Sequence, residues 1–182
     1  RRGRALARLI DTDPLTGLFN RGRLHRLLEA EALRHERTGE PLSFAMVDLD
    51  NFKEINDTHG HAAGDQVLRT LARLLRRRPR RTDRAGRWGG EEFGLILPAT
   101  GVEGARTVVE DLRAAFAGLE HAVTGAPVTV TLSAGLAELR PGEDADALAA
   151  AADAALYTAK ERGRDQVLTR TEREAAEGGK PG

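Results

Sequence analysis

Apolar positions recur along this chain in two rhythms, and the changes of rhythm mark its elements. Residues 21–37 carry Leu24, Leu27, Leu28 and Leu33 at helical spacing, and Gly39 and Pro41 end that segment. LSFAMVDLD, residues 42–50, is a short apolar run closing in acids, which predicts a buried strand. Residues 51–65 read as a polar loop with a helical turn. Val67, Leu68, Leu71, Leu74 and Leu75 then give an amphipathic helix over 66–77, stopped by Pro79. The pattern further predicts a hairpin over 84–97, a helix over 102–119 and a strand over 127–139. An alanine-rich helix over 144–163 ends at Gly163, and 165–168 reads as a last strand. Alternating strands and helices in this order predict a mixed sheet with helices on one face, an α+β or ferredoxin-like arrangement. No internal repeat is evident.

The flanks read differently. Residues 1–10 resemble the end of a helix entering from upstream, and 11–20 are turn-rich, with Asp13-Pro14 and Thr16-Gly17. From 171 to 182 no apolar face remains, so that tail is expected to be disordered. This leaves 11–170 as one domain.

Composition narrows the class. With 182 residues, 40% hydrophobic and 31% charged, the chain can bury a real core. It has no cysteine, which removes disulfides and thiolate metal sites. No apolar run is long enough to span a membrane and no export signal is visible, so no membrane contact and a cytoplasmic location are expected. Net charge is zero, against a protein that binds nucleic acid through overall charge. Arginine is heavily favoured, 25 against three lysines at 53, 160 and 180. One basic run, RLLRRRPRRTDR at 73–84, reads on its own as a solvated helix end.

The candidate chemistry lies in acids at strand ends. Asp48 and Asp50 close the strand at 42–50 and share one face by alternation, though Asp50-Asn51 also fits a cap or turn. Glu91 and Glu92 follow two glycines in RWGGEEFGLILP, and alone they read as solvated acids on a hairpin turn. Taken together, these acids could converge into a hard oxygen site for Mg²⁺, while no His or Cys cluster suggests zinc. Lys53 follows the first acid pair, and Lys160 and Arg164 are four apart at a helix end, where they suit either phosphates or the helix dipole. No Walker motif is present.

At this point the chain resembles the GGDEF-domain diguanylate cyclases, through Gly89-Gly90-Glu91-Glu92-Phe93, the glutamate form of their signature. The resemblance runs from about 11 to 169. It includes DPLTGLFNR (13–21), DLDNFKEINDTHGHAAGD (48–65), RAGRWGGEEF (84–93), TLSAGLA (131–137) and ADAALYTAKERGRD (152–165) in order. It implies a palm-type sheet with the motif on a hairpin turn. It implies Asp48, Glu91 and the Leu49 carbonyl as ligands of Mg²⁺ or Mn²⁺, two ions per site, with Glu92 assisting the second metal or the attacking hydroxyl. Asn56 and Asp65 match the guanine-reading pair, Phe52 and His61 line that pocket, and Lys53, Lys160 and Arg164 match phosphate-side cations.

The implied reaction joins two GTP into cyclic di-GMP and two pyrophosphates across an antiparallel homodimer. It also implies an upstream sensory or receiver domain. Arg80-Arg81-Thr82-Asp83 matches the family's RxxD inhibitory site, with five residues between Asp83 and Gly89. Asp111 stands where a second arginine is usual, and Arg113 is the nearby alternative. The rival expectations are a catalytically degenerate GTP- or cyclic di-GMP-binding effector domain, another nucleotide cyclase of the same fold, and a nucleic-acid module.

Overall fold

A computed structural model describes residues 3, 4, 10–77, 79–123 and 125–179. Most of the linker expected at 1–10 therefore lies outside the described residues. Helix α1 (Arg21–Thr38) opens where the Asn20 side chain accepts from the Arg23 amide, and closes where Gly39 turns left-handed at φ 73°. Strand β1 (Leu42–Leu49) leads through α2 (Phe52–His59) into α3 (His61–Arg77). Strands β2 (Arg84–Arg87) and β3 (Glu92–Pro98) pair antiparallel, joined by residues 88–91. Then come α4 (Val102–Ala117), the short pair β4 (Glu120–His121) and β5 (Val128–Thr129), and β6 (Leu132–Glu138). Helix α5 (Ala145–Glu161), β7 (Val167–Thr169) and α6 (Arg170–Gly178) complete the fold.

The sheet runs β2-β3-β1-β6-β7, antiparallel except for the β6–β7 pair. It is the mixed α+β sheet the pattern predicts, but helices cover both of its faces rather than one. All eight residues of β1 are buried, as a central strand packed on two sides requires. Ala45, Val47 and Leu49 pack with α3 and α4, whereas Phe44 and Met46 pack with α1 and α5. At Gly135 a Cβ would run into the α5 backbone at Ala152 and Leu156, so this glycine lets the helix lie directly on β6.

Three further differences have physical causes. The segment read as a polar loop forms α2 and the first turn of α3, because its solvent-facing surface hides the helical period. The strand expected over 127–139 breaks at 130–131, and its first part pairs with β4 in a separate two-stranded sheet. The tail expected to be disordered from 171 is helical through Gly178. Thr169 and Glu172 form a reciprocal capping box there. Arg170 is buried and pairs with Glu143 at 2.8 Å, while Arg140 grips Glu174 at 2.7 Å. Ion pairs rather than an apolar face dock this helix.

Candidate active site

The ends of β1 and β3 bring acids together. Asp48 stands in register with Glu92 on β3 and Ser133 on β6. Its side chain is 4% exposed, and Lys160 Nζ from α5 donates to Oδ2 at 2.5 Å. Its Oδ1 is buried with no hydrogen-bond partner. Burial pushes this carboxyl up from 3.8 to about 6; Lys160 opposes the shift, and the nearby charges of Glu91 and Glu92 add to it. A buried oxygen left open beside two more carboxylates is the donor chemistry a hard divalent cation satisfies.

Asp50 shares Asp48's face by alternation, yet its role differs. It accepts from Thr131 Oγ1 and Ser133 Oγ, both at 2.7 Å, and from the Asp165 amide at 3.0 Å. That carboxylate is saturated by protein donors, so the acid pair seen in sequence divides into one open group and one closed one.

Beside Asp48 lies a cleft of about 650 Å³ lined by Phe52, Lys53, Asn56, His61, Asp65, Glu91 and Glu92, with Gly89, Gly90, Arg87 and Leu68. Two helices and one turn shape it. Gly60, at φ 88°, reverses the chain between α2 and α3, and a Cβ on Gly64 would collide with the Asn56 side chain. The glycine therefore admits Asn56 between the helices. On the opposite wall, Trp88 and Gly89 amides both donate to the Glu92 carbonyl, closing the turn.

Arg87, to which the sequence assigns no role, lines the cleft and braces that turn. Its Nη2 donates to the Gly90 carbonyl at 2.7 Å and its Nε to the Gly89 carbonyl at 3.2 Å. Its Nη1 meets Asp13 at 3.2 Å, and Asp13 in turn accepts from the Thr16 amide and hydroxyl. A forked guanidinium suits three acceptors at once. The signal available in sequence was an arginine two residues before the glycines together with an Asp-Pro turn, but only the fold joins them.

Seven of the sequence-predicted residues thus share one cleft. Asp48 and Lys160 pair outside its lining, Leu49 is buried at the strand end, and Arg164 is exposed on the α5–β7 turn. Among the described residues no three acidic or imidazole side chains close on a single point as a ready cation cage. The RxxD residues do meet. The Asp83 side chain is fully buried, accepts from the Arg80 amide at 2.8 Å, and faces the Arg80 guanidinium at 3.4 Å. Arg80 also reaches Thr100 Oγ1, just ahead of α4. Arg113 does not face this turn, contrary to the alternative read from sequence. It lies 11 positions into α4, about 16 Å along the helix axis. There it pairs with Glu110 at 2.5 Å and Asp165 at 2.7 Å.

Comparison with known proteins identifies the family. The profile described as "Diguanylate cyclase, GGDEF domain" matches residues 10–166. The chain belongs to this family. It is 47% identical over 156 residues to diguanylate cyclase DgcP of Pseudomonas aeruginosa, a match covering 86% of this chain and 23% of that protein. Diguanylate cyclase DgcM of Escherichia coli is 40% identical, with 37% of its length covered, so the chain spans well under half of these relatives. Among solved structures, the GGDEF domain of DgcB from Caulobacter crescentus in complex with c-di-GMP superposes with a TM-score of 0.83 at 35% identity, covering 88% of this chain and 93% of that one.

Proposed function

We propose that this domain is an active diguanylate cyclase, condensing two GTP into cyclic di-GMP and two pyrophosphates. The observation that carries the reading is the orphaned Asp48 Oδ1, buried beside Glu91, Glu92 and Lys160 at the edge of the cleft. Asn56 and Asp65 read guanine, the carboxylate accepting from the N1 and N2 hydrogens, with Phe52 and His61 as pocket walls. Lys53, Lys160 and Arg164 hold the phosphates. Lys160 would transfer its ammonium from Asp48 to phosphate as a cation takes its place. Asp48, Glu91 and the Leu49 carbonyl would hold Mg²⁺ or Mn²⁺, two ions per site. Bound metal lowers the pKa of the attacking hydroxyl and offsets phosphate charge.

Two domains face each other antiparallel, each holding one GTP. Each 3′-oxygen forms a bond to the α-phosphorus of the opposite nucleotide, the α–β bridging bond breaks, and pyrophosphate leaves. Glu92 takes the hydroxyl proton or assists its loss. The remaining catalysis is positioning, so turnover per domain should rise with enzyme concentration as monomers pair. Arg80 and Asp83 form the product-inhibition site: Arg80 forks onto product phosphate or guanine, exchanging its present grip on Asp83. Asp111 in place of a second arginine weakens that inhibition. An upstream sensory domain would control pairing.

Mass analysis of products after incubation with GTP and Mg²⁺ tests the reading. Cyclic di-GMP and pyrophosphate are expected, abolished by Glu91→Gln with the fold retained. Nucleotide binding without turnover by the wild-type dimer would instead favour the degenerate effector.

A further inference from the structure

Four residues other than glycine are left-handed among the described residues, and three gather at one junction: Asn51 at φ 54°, Arg164 at φ 63° and Asp165 at φ 47°. Gly163 precedes the last two at φ 111°, so three consecutive residues of the α5–β7 turn are left-handed. Residues bearing a Cβ avoid this region unless their surroundings impose it. The turn must therefore be held from outside.

Asp50 holds it. Its carboxylate accepts the Asp165 amide at 3.0 Å, while Thr131 and Ser133 hydroxyls fix the carboxylate itself at 2.7 Å each. The Asp50 amide donates to the Thr131 carbonyl at 2.9 Å, so backbone and side chain are both anchored to the start of β6. Arg113 adds an outer tie to Asp165. Asp50-Asn51 is also where the chain leaves β1 and turns into α2, which carries Phe52, Lys53 and Asn56. Lys160 lies in the last turn of α5, and Arg164 lies within the left-handed turn. One carboxylate thus registers the α2 side of the site against the side bearing Lys160 and Arg164.

We propose that Asp50 is a positioning residue: it holds the Gly163–Asp165 turn against the end of β1 and so sets where Lys160 and Arg164 meet the nucleotide phosphates. This rests on the nucleotide-site reading above. Asp50 touches no substrate and acts through the Asp165 amide.

The test is metal-free binding of an α,β-methylene GTP analogue and of guanosine to the domain, with amide exchange read at Asp165. Asp50→Ala should weaken the triphosphate analogue by about tenfold or more, the scale of an outer-layer positioning contact. It should leave guanosine affinity unchanged and speed exchange at Asp165. Asp50→Asn should restore both readouts, since its Oδ1 can accept from Asp165 and Thr131 while its amide donates to Ser133 Oγ. If Asp50→Ala does not fold, Thr131→Val serves instead, with a smaller loss again confined to the triphosphate. Unchanged triphosphate affinity in these variants, while Lys160→Ala and Arg164→Ala each lower it, would overturn the positioning role alone. Unchanged affinity in the lysine and arginine variants too would remove the phosphate assignment and this proposal with it.

Discussion

Two buried charges stand at opposite ends of the β1–β6 ladder and are treated in opposite ways. Arg170 is closed: both its terminal nitrogens are used, on Glu143 and on the Glu138 carbonyl. Those hydrogen bonds hold the Glu143 carboxyl below its ordinary value, against a smaller upward push from burial. Asp48 is open: one oxygen is given to Lys160 and the other to nothing, and its carboxyl is pushed up to about 6. A charge serving only the fold is matched by protein groups. A charge proposed to hold a ligand is left short of partners, and the fold bears the desolvation cost.

The comparison breaks first at Asp48. Asp48→Asn should lower cyclase turnover by at least about a hundredfold, the scale of losing a group that meets developing charge. It should leave the melting temperature equal or higher, because a buried charge whose desolvation Lys160 offsets only in part is removed. A marked fall in melting temperature would mean that Asp48 is structural after all. Arg170→Ala should do the reverse. Removing one partner of a buried pair should cost about 3–5 kcal/mol in denaturant unfolding. Activity per folded molecule should be nearly unchanged.

A smaller effect is pH dependence in metal-free protein. The folded pKa of Asp48 lies above the unfolded value, so its contribution to stability is full below pH 3.8 and is lost as pH rises through about 6. Stability from this group should therefore fall across that window. The difference in unfolding free energy between wild type and Asp48→Asn, measured at intervals of pH, should show this slope. The smallest change sharpens the closed end: Thr169→Ala removes the α6 cap and should cost about 1 kcal/mol, read from the melting transition.

Most of the fold was legible where periodicity was strong. α1, the body of α3, β1, α4 and α5 follow from apolar spacing alone, because each buries a stripe or a whole strand. The α2 segment was not, since it has no buried residue of its own and packs through partly covered Phe52 and Ile55. α6 is hidden for a related reason: it has no apolar face, and only Thr169 and Glu172, which form a capping box, mark its start. Helices on both faces are implied by the unbroken apolar run of β1, since a strand buried along its whole length needs cover on two sides.

The site divides along the same line. Residue types and order along the chain named the acids and cations at the strand and helix ends, and the family resemblance named the residues proposed to read guanine. Only the tertiary structure separated Asp48 from Asp50. Alternation puts both on one face, but whether a carboxylate is open or saturated depends on donors more than 80 residues away, at Thr131 and Ser133. Only the fold brought Arg87 and Asp13 around the Gly89-Gly90 turn and directed Arg113 to Asp165 rather than Arg80. Local pattern selects the groups a site contains. The packing of distant segments decides which of them remain free to act, since hydrogen bonding saturates at short range and registers nothing of sequence distance.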